Sequence, residues 1–193
     1  MEETWKIIVW QQFGATIDML ENAMHACPDE LWHDRSQQPE FWYLVYHTLF
    51  WLDFYLSDPD TSFVPPSPFT LDETDPDAVP ERPYTKDELQ NYLELGREKC
   101  RSLIASLTDK SSGEHLAIGS FEGSRMESLL YNLRHVQHHA AQLNLILRQQ
   151  TDSAPRWVRK TSKSLTAEIA GQAVQSPTFR LLFDTLRKLK LVL

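Results

Sequence analysis

Cysteine is scarce in this chain, long apolar runs are missing, and strand-like alternation of apolar and polar residues is not found. The two cysteines, Cys27 and Cys100, stand alone and form no CxxC pair. A disulfide framework is therefore not indicated, and buried free thiols are the expectation. No apolar run reaches the roughly 18 residues that a membrane span needs. The start, Met1-Glu2-Glu3-Thr4, lacks the basic opening of a signal peptide. Both point to a cytoplasmic protein that does not enter a membrane. No internal repeat is present.

Positive charge is also short over most of the chain. Residues 156–193 hold eight Lys/Arg against Glu168 and Asp184, a net of +6; the whole chain is −8, which leaves −14 for the first 155 residues. An acidic body argues against nucleic acid as a partner, because that binding needs a basic footprint. The basic end suits docking onto an acidic body. What remains is ordinary for one globular domain: 193 residues, 41% hydrophobic and 24% charged, enough for a real core and too few for two ordinary domains.

Helical periods account for most of the chain. Residues 3–26 read as a first helix with Trp5, Ile8, Val9, Thr16, Leu20, Ala23 and Met24 on one side, ended by Pro28. Pro28–Trp32 looks like a short helical turn in a connection. Pro39 suits the first position of a second helix running to about Leu56. That helix is apolar nearly all round, as expected of one buried on most sides. Its outer residues Trp42, Tyr46 and Leu49 would otherwise make an apolar patch, so a homodimer through this helix is expected.

Residues 57–83 carry seven prolines and no period, a long irregular crossover of the kind that lets the next helix start at the far end. Thr85-Lys86-Asp87-Glu88 is a capping box, with Tyr84 and Leu89 as its hydrophobic staple, opening a third helix to about Leu107. Residues 108–123 read as a Gly/Ser-rich connection. Ser124-x-x-Glu127 is a second capping box, opening a fourth helix that ends near Gln150. Ser176-Pro177 marks the start of a last amphipathic helix through Phe179, Leu182, Phe183, Leu186 and Leu189.

The fourth helix carries the chemistry. Leu129, Leu133, Val136, Ala140, Leu143 and Leu147 form its core stripe, and His135 and His139 lie together at the edge of that stripe. Imidazoles at i and i+4 point to one side a turn apart and can share a metal ion. His138 turns away with Arg134 and is a bystander. A third imidazole, His47, sits in the middle of the apolar second helix, where a buried histidine must find a partner. Three histidines leave coordination positions open for water or substrate, the layout of a catalytic metal site. Zinc, nickel, iron or manganese would all accept it.

With these residues in place, the chain resembles the DinB/YfiT-like family of metal-binding four-helix bundles. The resemblance rests on Pro39-Glu40-Phe41-Trp42 leading to His47, on His135-x-x-x-His139-Ala140-Ala141-Gln142-Leu143, and on Pro155-Arg156-Trp157. Ala141 stands where the family commonly has glycine. The resemblance covers residues 1–157 and leaves 158–193 as a basic C-terminal extension. It implies an all-α fold, an up-down-down-up four-helix bundle with a long crossover between the second and third helices, and His47, His135 and His139 as ligands of one divalent metal.

The activity it implies is transfer of a low-molecular-weight thiol such as bacillithiol, mycothiol or glutathione to a small electrophile. Hydrolysis by metal-bound water and a non-catalytic stress-response module are the alternatives. Gln142, Tyr43 and Trp51 are placed to line or orient the site.

Overall fold

The computed structural model describes residues 4–36, 38–75 and 78–165. These are mostly helical: α1 (Thr4–Ala26), α2 (Asp29–Trp32), α3 (Phe41–Tyr55), α4 (Lys86–Ser106), α5 (Asp109–Ser112) and α6 (Arg125–Thr151). The four long helices pack in a ring, α1 against α4 and α6, α3 against the same two. No described helix is long and apolar enough to cross a membrane.

α1 buries Trp10, Phe13, Ile17, Leu20 and Met24, spaced by three and four as one helical face requires. The expected inner residues Trp5, Ile8 and Val9 do not share it; Ile8 is 55% exposed. Apolar residues occur on every side of the first turns, so period alone could not choose a face there. Trp10 and Phe13, in phase with Ile17, decide it. The following compact unit boundary falls after Ser162. Near it, the Thr161 amide donates to the Gln11 carbonyl at 3.0 Å. The Thr161 methyl lies 2.5 Å from where a Cβ on Gly14 would stand, so only glycine permits this approach.

α3 opens at Phe41 with Glu40 as its cap residue; Pro39 lies one residue outside rather than at the first helical position. Trp42, Tyr46 and Leu49 are 5%, 0% and 1% exposed within this single chain. The apolar face proposed as a dimer surface is therefore interior. The crossover covers it: the Phe69 ring stacks on Tyr92 (4.4 Å between centroids) and Tyr46 (5.8 Å), with Tyr84 edge-on to it. Phe63 packs edge-on against Phe50 and Phe54. Aromatic anchors, not regular structure, hold this proline-rich segment down.

Both capping boxes form as read, Thr85 with Glu88 and Ser124 with Glu127. The connection between α4 and α6 departs from expectation. It contains an antiparallel hairpin, β1 (His115–Ile118) and β2 (Phe121–Ser124), paired His115 to Ser124 and Ile118 to Phe121. Gly119, at φ 58°, starts its two-residue turn, a conformation L side chains resist. Leu116 and Ile118 face inward onto Tyr55, with Trp51, Phe54 and Phe121 packed around them. A four-residue strand with one turn of alternation is too short to register as a period, so its pairing shows only in three dimensions. The second compact unit begins at Lys163, and the helix expected over 176–193 lies outside the described residues.

Candidate metal centre

His135 and His139 come together because α6 is regular across them: one turn separates the two, and their ring centroids lie 4.5 Å apart. His47 reaches the same point from the middle of α3, 4.8 Å from His139 and 5.5 Å from His135. One ring nitrogen from each of the three lies within 4.8 Å of the others. The helices are pinned in this register by Asn132, buried on α6, whose side-chain amide donates to the Leu52 carbonyl at 3.0 Å. That carbonyl is spare because the last turn of α3 tightens, with the Leu56 amide bonding Asp53 instead. His138 is exposed and outside the cluster.

The outer nitrogens of two rings are already engaged. His139 Nδ1 meets Gln142 Oε1 at 2.7 Å, as the spacing suggested. His47 Nδ1 donates to Glu73 Oε2 at 2.6 Å. A carboxylate or carbonyl oxygen only accepts, so Nδ1 carries a proton in both rings. His135 Nδ1 is buried with no hydrogen-bond partner among the described residues. Burial, and then the neighbouring imidazoles, push His135 down to about 3. Burial likewise brings His139 down to about 4, against an opposing pull from the Gln142 bond. His135 and His139, held neutral by burial, and His47 beside them bring three imidazoles together, a donor set that fits a borderline divalent cation.

Glu73 escaped the reading of the sequence. It lies in a short 3-10 turn, Asp72–Thr74, inside the crossover. Its side chain is only 4% exposed against 30% for His47. Trp51 Nε1 donates to the same carboxylate oxygen at 3.2 Å, and the Tyr43 hydroxyl bonds this carboxylate too. Tyr43 and Trp51 thus serve Glu73 rather than His47 directly. Burial drives the Glu73 carboxyl up, but the bonds from His47, Tyr43 and Trp51 outweigh it, and the group stays below the usual range. Only an acidic residue in a proline-rich stretch with a local helical turn marked it in advance, and the same stretch holds several others.

Other acidic residues near the helices are committed elsewhere. Asp53 accepts from Lys99 and, at 3.1 Å, from the Tyr92 hydroxyl. Glu127 closes its capping box. Neither joins the three histidines.

A sequence model described as the DinB superfamily matches residues 12–143, a span that contains all three histidines and the crossover. No curated protein and no solved structure matches the chain.

Proposed function

The chain belongs to the DinB superfamily, and on that footing we propose that it is a divalent-metal-dependent enzyme of the up-down-down-up four-helix-bundle type. His47, His135 and His139 hold the ion, zinc, nickel, iron or manganese, and the substrate is a small electrophile that receives a low-molecular-weight thiol. The observation that carries this reading is the convergence of three imidazole nitrogens within 4.8 Å. A divalent ion there lowers the pKa of a thiol or water held beside it, yielding a nucleophile at neutral pH.

The residues divide the remaining work. His135 and His139 are held neutral by burial, so no proton has to leave them at pH 7 before they act as ligands. Gln142 sets the tautomer of His139 by accepting from its Nδ1. Trp51 stands edge-on to His47, 6.4 Å between centroids, and donates to the Glu73 carboxylate behind that ring.

The protein's own thiols are poorly suited to attack. Cys27 and Cys100 are both buried and free, and burial pushes Cys27 up to about 12 and Cys100 well above the thiol range. A sulfur nucleophile at this site is therefore supplied from outside, which favours an added thiol over a cysteine intermediate.

The test is metal analysis of untagged protein followed by turnover of an activated aryl halide with glutathione, bacillithiol or mycothiol. Single alanines at His47, His135 and His139 should each strip the metal and the activity, while His138→Ala keeps both. Full metal retention in His135→Ala overturns the site. Turnover of ester substrates without any thiol would select hydrolysis, and metal binding without turnover would select a non-catalytic module.

A further inference from the structure

Glu73 is a buried carboxylate whose only charge partner among the described residues is an imidazole. Burying a carboxylate is costly unless a full positive charge or several donors compensate it, and most buried acids meet Arg or Lys. Here the donors are His47, Trp51 and Tyr43. The same His47 ring meets His135 and His139, one ring nitrogen of each lying within 4.8 Å of the others.

Resting on the metal reading above, we infer that Glu73 is the positioning residue of the centre. It holds His47 as the Nδ1-protonated tautomer, aims Nε2 at the point shared with His135 and His139, and makes the crossover part of the site.

The anchoring supports this role. The crossover is docked next to its target: the Tyr46 hydroxyl donates to the Thr70 carbonyl at 3.1 Å, and Tyr46 precedes His47 on α3. The turn that carries Glu73 is closed by Thr74 bonding the Leu71 carbonyl and Asp75 bonding that of Asp72. One stretch of α3 thus grips the crossover with Tyr43, Tyr46 and Trp51 and presents His47 to it. A carboxylate behind a ligating imidazole fixes ring orientation and raises ligand basicity, and losing such a partner weakens metal affinity by about 10–100-fold. Asp72, the residue before it, accepts from the Thr70 hydroxyl at 2.6 Å instead, which makes it the natural control.

The experiment titrates the full chain with zinc alone against a chromogenic chelator, in wild type, Glu73→Ala, Glu73→Gln, Asp72→Asn and His47→Ala. Glu73→Ala should lose about 10–100-fold in zinc affinity. Glu73→Gln, whose carbonyl oxygen can still accept from Nδ1–H, should recover part of that loss, and Asp72→Asn should match wild type. In zinc-free protein at one fixed pH, nitrogen-15 spectra of the imidazoles should show His47 as a single Nδ1-protonated tautomer, replaced by a tautomer mixture in Glu73→Ala. A merely structural clamp would change melting but neither the tautomer nor the rescue by glutamine.

Wild-type zinc affinity in Glu73→Ala, with binding abolished in His47→Ala, overturns the positioning role and leaves the metal site standing. Wild-type affinity in His47→Ala, or no zinc uptake by the wild type, overturns both. Should Glu73→Ala fail to fold, the tautomer and affinity of Glu73→Gln decide: values equal to wild type in Asp72→Asn and reduced in Glu73→Gln support the role, and a wild-type tautomer in a protein that binds zinc no better than His47→Ala refutes it.

Discussion

Two polar interfaces run through the helical ring, and they are built to different ends. Between α1 and α4, Arg97 is 5% exposed and gives Nη1 to Asp18 at 2.5 Å, Nη2 to Glu21 at 2.6 Å and Nε to Glu94 at 3.3 Å. Gln90 adds a bond to Glu21 at 2.9 Å. Every guanidinium nitrogen is used, and opposite charges meet inside the protein. Between α3 and α6, three imidazoles crowd together, one of them backed by the Glu73 carboxylate, and His135 Nδ1 lacks a partner among the described residues. An interface that pairs opposite charges serves the fold. One that brings three imidazole nitrogens within 4.8 Å of one another offers its donors to a cation.

The largest effect expected from this contrast is on the balanced side. Arg97→Ala removes the buried guanidinium that Asp18 and Glu21 share and should cost about 3–5 kcal/mol, read as a fall in urea midpoint, while zinc uptake by the folded fraction persists. An unchanged midpoint would mean water compensates those acids and the α1–α4 network is not what holds the helices.

On the unbalanced side, zinc at a hundredfold excess over its Kd should stabilise the wild type by about 2.7 kcal/mol. His47→Ala should gain nothing. Equal gains in both would place the binding elsewhere.

A pH series in zinc-free protein separates the interfaces further. His135 and His139 titrate near 3 and 4 in the folded chain, below the ordinary histidine value of 6.5. Between those values the unfolded chain binds more protons, so stability is full above about 6.5 and declines as pH falls toward 4. Urea midpoints at successive pH values should show that slope, and a His135→Asn/His139→Asn variant should flatten it. A wild-type profile already flat over this range would mean that the imidazoles are not shielded from water.

The smallest effect is the most diagnostic. His135→Leu removes a buried nitrogen that has no partner, so zinc-free stability should stay level or rise by about 1 kcal/mol, while zinc binding is lost. A marked loss of zinc-free stability would show that His135 is there for packing.

Much of the site was legible because it is local. His135, His139 and Gln142 lie within two turns of one helix, and helical geometry alone sets their relation. The capping boxes at Thr85 and Ser124 are likewise three-residue relations. Other features were not readable at that range. The face of α1 was misjudged because Trp5, Ile7, Ile8, Val9 and Trp10 offer an apolar residue in every direction. The hairpin at His115–Ser124 depends on cross-strand pairing and on the inward contacts of Leu116 and Ile118. Trp42, Tyr46 and Leu49 look like a surface for a second subunit until Phe69 and Tyr84 fold over Tyr46.

By itself the sequence determined that helices form, where two of them begin, and that two imidazoles share one edge of the fourth. These follow from periods of 3.6 residues and from caps, which act over a few residues. The tertiary structure brings His47, already singled out in the sequence, to within 4.8 Å of that pair, and it alone placed Glu73, 26 residues further along the chain, behind it. No local rule links a helix to a proline-rich loop; aromatic packing across the crossover makes that contact, and packing depends on shape and burial in three dimensions.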